Sequence, residues 1–452
     1  MNAAASTAPE AFVRHGAPLI LPPPAATTGA VGWVRQNLLS SPINIVLTVL
    51  SLALVAWILP GIIRFFIIDA VWSGPDRESC IAKDGQPLGA CWAFIRERFS
   101  YFIYASYPIS ERWRVNVYFI LGAIGIAWLL WPSGPRRDLA SIYFFGAFPF
   151  LAYALLTGAN PLGLLSLPLN LLSLPPWALA LAVIAFAAVI YGIARGTRSN
   201  TPLYIGGFIA AFAILGPAIW YVSEQLWNAI GLRKVGTHLW GGLMVTTVVA
   251  GVGIVASLPL GILLALGRRS RLPLVKFFSV VFIEFVRGVP LITILFMANT
   301  MLPLFIQGGE NIDKLMRALV GVALFSSAYL AEVVRSGLQA LPKGQYEGAM
   351  AMGLNYAQMM RLIILPQALK VSIPNIVSSY IGLFKDTSLL LIVGIFDFLK
   401  AIENGRIDPQ WAAPTTSVTG YAFAAIVFFV FCYGMSRYAK YMEHLLAAGD
   451  RR

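Results

Sequence analysis

KGQYEGAMAMGLNYAQMMRLIILPQALKVSIP, residues 343–374, lies between two long apolar runs and is polar enough to sit in water. Tyr346 to Met352 is rich in good helix formers, and Gly353 ends that helix by relaxing the backbone at its terminus. Asn355 is a helix N-cap residue, so a second helix is predicted over Ala357 to Ile364, with Pro366 interrupting the pattern. The stretch reads as helix, turn, helix. A short exposed helix of small residues has the shape to lie in a groove on another protein. The alternative is an ordinary loop joining two spans.

Outward from that stretch the chain is apolar. Of 452 residues 58% are hydrophobic and only 12% charged, which excludes a soluble globule and makes this an integral membrane protein. A net charge of +13 would suggest nucleic acid in a soluble protein. Here it is accounted for by basic residues gathered in cytoplasmic loops. Ten runs are long enough to cross about 30 Å of hydrocarbon as helices. They lie near 43–63, 115–131, 141–157, 178–194, 204–222, 239–266, 277–302, 317–340, 371–399 and 418–437. The fold class is therefore all-α, a polytopic transmembrane bundle of about ten spans.

The first forty residues are rich in Ala, Pro and Thr, with three prolines at Pro22 to Pro24, and are expected to be a largely disordered tail. No charged-then-apolar leader with a small-residue cleavage site precedes the first span, so that span is expected to serve as an uncleaved anchor. Within the tail, Trp33 to Ser40 is predicted to form a short interfacial helix. Basic loops orient the chain. With both termini in the cytoplasm, Arg136 and Arg137, Arg195 and Arg198, Arg268 to Arg271 and the tail from Arg437 all fall inside. The opposite loop from Gly158 to Trp177 has no Lys or Arg. The same orientation puts Glu347 in the cytoplasm.

The chain divides near residue 235: a tail (1–42), a five-span extension with an outside loop (43–235, loop 64–114), a core (236–440) and a second tail (441–452). The extension has almost no charge at membrane depth and reads as scaffolding. Its outside loop holds Cys80 and Cys91. In an oxidising periplasm the two form a bridge, and otherwise they are two free thiols; spacing alone decides neither. Cys432 reads as packing, as do Gly251, Gly253 and Gly261, which permit close helix approach.

The core carries charge inside its spans. Glu284 and Arg287 share a helix face, and Pro290 beyond them is expected to kink the span. Lys385 and Asp386 sit mid-span, followed by Thr387 and Ser388. A charge at mid-bilayer costs about 2.5–3.5 kcal/mol or more unless paired or hydrated. These groups either line a water-filled path or lock spans together, and for Glu284 and Arg287 the lock is the favoured reading. Glu332 and Arg335 share another face near the inner end of their span, as an interfacial pair or as a lever toward residue 343. No G-x-x-x-x-G-K-[ST] phosphate loop, no ligand-spaced histidine cluster and no nucleophile–base constellation is present, so neither ATP hydrolysis nor metal chemistry is expected of this chain.

The spacing Glu347-x-Ala349-x-x-x-Gly353-x9-Ile363-x-Leu365-Pro366 resembles the "EAA" loop of permease subunits of bacterial ABC importers, with Gly348 where the family usually has a second Ala. From Leu239 to about Tyr438 the resemblance is continuous with permeases for polar amino acids. Residues 240–271, 283–296, 328–349 and 383–399 follow in that family's order. The length, the extension and residues 402–411 look most like the longer, M-type permease of general L-amino-acid transporters.

The resemblance implies a type I importer core moving L-amino acids into the cytoplasm by alternating access in the bacterial inner membrane. It implies a second permease chain, two ATPase subunits that hold ATP and Mg, and a periplasmic amino-acid-binding protein. No cofactor is implied on this chain. Glu347, Gly348, Ala349, Gly353, Ile363, Leu365 and Pro366 would take up ATPase motion. An amino acid presents an ammonium and a carboxylate together, so Asp386 would receive the first and Thr387, Ser388 or Lys385 the second. An ion-coupled carrier and a membrane scaffold are the rival classes.

Overall fold

The computed structural model describes residues 29–81, 87–131, 134, 136–161, 223–229, 231–305 and 312–449. Two predicted runs, 178–194 and 204–222, lie outside these residues, as does the tail before residue 29. Among the described residues every regular element is a helix, with two isolated bridges, Val71 to Cys91 and Gly242 to Asp397. Seven helices are long and apolar enough to cross a membrane, or eight if one bent pair is counted as a span. Seven of the other eight predicted runs each have one of these helices, and the run at 277–302 falls on the bent pair.

The chain forms two compact units. The first is Met1–Ala70 with Gly85–Ala90. It holds α1 (Gly29–Asn37), where the interfacial helix was expected slightly later, and α2 (Pro42–Ile63). Ser41 caps α2, accepting from the Asn44 backbone N–H at 3.2 Å. No side chain of α2 is buried, and the helix is apolar on all sides, as a lipid-facing span must be.

The second unit is Val71–Asp84 with Cys91–Arg452. Among the helices described in it are α3 (Trp92–Tyr104), α4 (Arg112–Leu130), α5 (Phe148–Thr157), α6 (Gly242–Arg268), α7 (Pro273–Gly288), α8 (Leu291–Phe296), α9 (Lys314–Ala340), α10 (Lys343–Ala351), α11 (Tyr356–Met359), α12 (Leu365–Asp386), α13 (Phe398–Ile407) and α14 (Thr416–Gly449). The last of these runs past residue 440, where a tail was expected.

Helices α6, α9 and α12 form the centre, and missing side chains let them meet. A Cβ on Gly261 would come within 2.8 Å of Leu330 Cβ and 3.1 Å of the Ala331 nitrogen on α9. On Gly253 it would meet Leu383 of α12 at 2.9 Å and Val322 of α9 at 3.1 Å, and on Gly337 the Ala368 carbonyl at 2.6 Å. Gly251 meets nothing within 4 Å, so its predicted packing role does not hold. The kink expected at Pro290 is a full break of 106°. Val289 and Pro290 are both extended (ψ 134° and 144°), because proline excludes the helical region for the residue before it.

Pro366 behaves oppositely to expectation. A π turn over Met360–Ile364 shifts the hydrogen-bond register before it, and Pro366 enters the first turn of α12, where no N–H is needed. The run expected at 371–399 is therefore part of one continuous helical stretch from Tyr356 to Val393, which begins in the knuckle.

The outside segment is built into this unit rather than hung from it. Cys80 and Cys91 are joined as a disulfide with Cα atoms 5.6 Å apart. The Cys91 N–H donates to Thr419 Oγ1 at 2.9 Å, and the Arg77 N–H to the Gln410 carbonyl at 2.9 Å. Arg98 pairs with Asp408. Phe94 and Phe102 of α3 are buried with Phe398 and Trp411, each burial contributing about 2 kcal/mol.

Beside them Asp397 is fully buried and caps α13, accepting from the Leu399 and Lys400 backbone N–H groups, both at 3.1 Å. Burial outweighs those bonds and raises its carboxyl from 3.8 to about 6. The folded chain therefore holds a proton here that the unfolded chain releases near 3.8. The stabilising contribution is complete below that value and is lost as pH rises through about 6. Asp397→Asn keeps the cap and removes the titration. The thermal midpoint of wild type relative to Asp397→Asn should fall between pH 4 and 7, and a constant difference across that range would refute the assignment.

Candidate functional site

Helix α10, the turn at Gly353 and helix α11 make a knuckle against the ends of α6, α7 and α9. Gly353 has φ +73°, the left-handed conformation that favours glycine, and no neighbour lies within 4 Å of an added Cβ, so conformation rather than space selects it. Asn355 and Gln358 form a reciprocal capping box at the start of α11. Ala349, Met359, Met360 and Ile364 are buried against Ala265, Ile283, Val334 and Leu338. The Tyr346 hydroxyl donates to the Leu338 carbonyl at 3.0 Å and accepts from Arg269 Nη1 at 3.1 Å. Gln367 Nε2 donates to Gln345 Oε1 at 3.0 Å, closing the knuckle on α12.

The signature residues divide by side. Ala349 is buried and seats the knuckle together with Ile364, which is not part of the signature; Ile363 and Leu365 are partly buried beside them, while Glu347, Gly348, Gly353 and Pro366 are exposed. Also exposed are Met350, Met352, Tyr356 and Leu362, large apolar groups on a polar stretch. The reading of the sequence missed these four. An apolar residue out of helical register with the buried set was the available signal.

Above the knuckle lies a network of charges from three helices. Arg335 grips Glu332 on α9, its Nε 2.9 Å from both carboxylate oxygens. Arg268 of α6 pairs with Glu284 of α7 at 2.8 Å and approaches Glu332 at 3.6 Å. Arg287 stands 3.7 Å from Glu332. Glu284 and Arg287 share a face as expected, but each finds its partner on another helix.

Further along the bundle a cavity of about 270 Å³ is lined by Ser257, Phe325, Ser326, Tyr329, Ser379, Tyr380 and Asp386, among others. Asp386 is thus placed in a cavity. Thr387 and Ser388 are not its lining: their hydroxyls donate to the Phe384 and Lys385 carbonyls of their own helix, at 2.8 and 2.9 Å. Lys385 points to the exposed side of α12. The polar residues that line the cavity with Asp386 are instead Ser257, Ser326, Tyr329, Ser379 and Tyr380, which α6, α9 and α12 bring together from distant sequence, the Ser257 and Ser379 hydroxyls donating to the Ile254 and Asn375 carbonyls of their own helices at 3.2 and 2.9 Å.

Residues 257–446 match the family described as binding-protein-dependent transport system inner membrane component. The inner membrane amino-acid ABC transporter permease protein YhdY of Escherichia coli (strain K12) is 41% identical over 431 residues, 95% of this chain and 96% of that one. BztC of Rhodobacter capsulatus, a glutamate/glutamine/aspartate/asparagine transport system permease protein, is 40% identical over 449 residues, 97% and 99% of the two chains. The probable glutamine ABC transporter permease protein GlnP of Bacillus subtilis (strain 168) is 34% identical over 208 residues, 45% of this chain and 92% of that one. The chain belongs to this family of ABC transporter permeases, multi-pass proteins of the inner membrane. It is a permease subunit and not itself an enzyme, its ATPase and its binding protein being separate chains. That membership favours the importer over the ion-coupled carrier and the scaffold.

The two acids of the network should differ in weight. Glu332 is contacted by three arginines, whereas Glu284 pairs with one and is half exposed. Glu332→Gln is expected to destabilise the protein in detergent by about 1–2 kcal/mol more than Glu284→Gln after allowance for solvent screening, read as a distinctly lower thermal midpoint. Equal effects would mean that the network is not shared.

Proposed function

We propose that this chain forms part of an L-amino-acid path driven by ATP hydrolysis on two separate subunits, which hold the nucleotide and Mg. The knuckle is the coupling element, and the observation that carries this is its two-sidedness. One side is keyed into three helices by Ala349, Met360 and Ile364, and the other presents Met350, Met352 and Tyr356 around Glu347. Apolar groups exposed on a water-facing segment are stable when another protein covers them. Motion of that protein is transmitted because α10 is clamped to α9 through Tyr346 and to α12 through Gln367.

The names of the two full-length relatives support amino acids as the substrate class. A cavity holding one carboxylate, three aromatic rings and several hydroxyls suits the ammonium end of such a molecule. A second permease chain covers the face of α12 that carries Asn375, Ser378 and Lys385. These polar groups are exposed on the single chain at a depth where lipid would leave them unsatisfied. Basic loops favour cytoplasmic termini. A periplasmic binding protein delivers substrate to the opposite side, where the segment holding Cys80 and Cys91 lies.

Reconstituted with its ATPase and partner permease, the chain should show ATP hydrolysis stimulated by substrate-loaded binding protein. Met352 is 80% exposed, so Met352→Glu leaves the fold of this chain intact and acts on the covering protein alone. It should cut co-purification of the ATPase and stimulated hydrolysis about tenfold or more, as burial of an unpaired charge at an interface does. Unchanged co-purification would remove the knuckle from the interface. Asp386→Asn should impair uptake more than assembly; uptake with an unaltered substrate range would take Asp386 out of the path.

A further inference from the structure

Among the described residues that line it, the cavity has an acid at one end and no cation, so the carboxylate of a passing amino acid finds no partner among them. The missing cation stands just behind Tyr329. Arg287 places its guanidinium carbon 5.8 Å from the centre of the Tyr329 ring, and that ring is part of the cavity wall. The network around Arg287 holds three arginines against two glutamates, and the glutamates are spoken for. Arg335 takes Glu332 with a fork of bonds near 2.9 Å, and Arg268 takes Glu284 at 2.8 Å. Arg287 has only Glu332 at 3.7 Å, beyond hydrogen-bond distance, and its side chain is 34% exposed. Among the described residues it is the least committed cation of the network, and the one in contact with the cavity wall.

We propose that Arg287 is the carboxylate-binding residue of the path, receiving the substrate's α-carboxylate at the Tyr329 end of the cavity in place of its loose contact with Glu332. This rests on the amino-acid import reading above. A guanidinium fits a carboxylate through two parallel N–H bonds, and the Tyr329 ring lies within cation–π range of this one. The broken span explains its location. Arg287 is the penultimate residue of α7, directly before the extended Val289 and Pro290. The contact is distinct from Asp386. Gly253 meets both Val322 and Leu383, and Gly261 meets Leu330, so the backbones at Asp386 and Tyr329 lie about 15 Å apart along the bundle. One amino acid's two α-groups cannot span that, so the ammonium and carboxylate contacts are made at different positions along the path.

The test is equilibrium binding of L-glutamine and its α-amide to the purified, nucleotide-free permease–ATPase complex, with assembly checked by size exclusion. Wild type should prefer the acid over the amide by about tenfold or more, the usual weight of a charge-assisted pair. Arg287→Gln should abolish that preference by weakening L-glutamine alone, and Arg287→Lys should retain part of it. Asp386→Asn, at a separate position along the path, should keep that preference or enlarge it. If Arg287→Gln does not assemble, the smaller ratio in Arg287→Lys carries the test.

A preference unchanged in both Arg287 variants, or lost equally for acid and amide, overturns the proposal. So does a wild type that binds the two alike. Uptake of L-glutamine by wild-type proteoliposomes separates the cases. Where ATP drives uptake but the ratio ignores Arg287, only this assignment fails; where no L-amino acid is taken up, the import reading fails with it.

Discussion

Two absent side chains set the geometry on which the rest depends. Gly261 and Gly337 let α9 lie against α6 on one side and α12 on the other, at separations where any Cβ would strike backbone. In lipid, apolar surfaces gain little by meeting each other, so contact area and close approach hold helices together. That approach has consequences at two levels. Toward one end it brings polar residues of three helices to one cavity with Asp386. Toward the other it brings Arg268, Glu284, Arg287, Glu332 and Arg335 within ion-pair range, so that charges too costly for lipid become affordable together.

Cavity, charge network and knuckle then follow one another along the bundle, and each is in contact with the next. Tyr329 belongs to the cavity wall and touches Arg287. Glu332 joins Arg287 to Arg268, and the adjacent Arg269 holds Tyr346 of the knuckle. Such a chain of packed and paired groups is a physical route by which displacement of α10 reaches the cavity. The same contiguity explains why the knuckle is not a free loop. Its buried side is continuous with the core, and only its outer side is left to another protein.

Much of this was legible in the sequence, for reasons that differ by feature. Apolar length found the spans, because crossing hydrocarbon imposes a length that few other elements need. The knuckle was readable because Gly353 and Asn355 are local devices, a left-handed turn and a cap, that act within a few residues. Pro366 misled for the same reason. Its effect depends on whether the preceding turn is α or π, and a five-residue π turn leaves no pattern in the sequence. The partners of Glu284, Glu332 and Asp386 were not readable, since they come from other helices. Thr387 and Ser388 looked like neighbours of Asp386 because they follow it in sequence, but they face their own backbone.

The outside segment shows why the extension is not an appendage to a finished core. A Cβ on Gly405 would come within 3.0 Å of the Phe102 ring and 3.4 Å of Phe94, and one on Gly420 within 3.6 Å of Phe94. Gly242, at φ +66°, would drive a Cβ into the backbone at Phe102 and Ile103. Gly242 and Gly405 of the C-terminal half thus owe their lack of a side chain, in part, to a helix that precedes that half by more than a hundred residues, whereas Gly420 is confined by Ile402 at 2.9 Å. The disulfide closes the chain just before α3, and the Cys91 N–H is fixed to Thr419 on α14. The seam between α3, α13 and α14 is therefore written into both parts of the sequence.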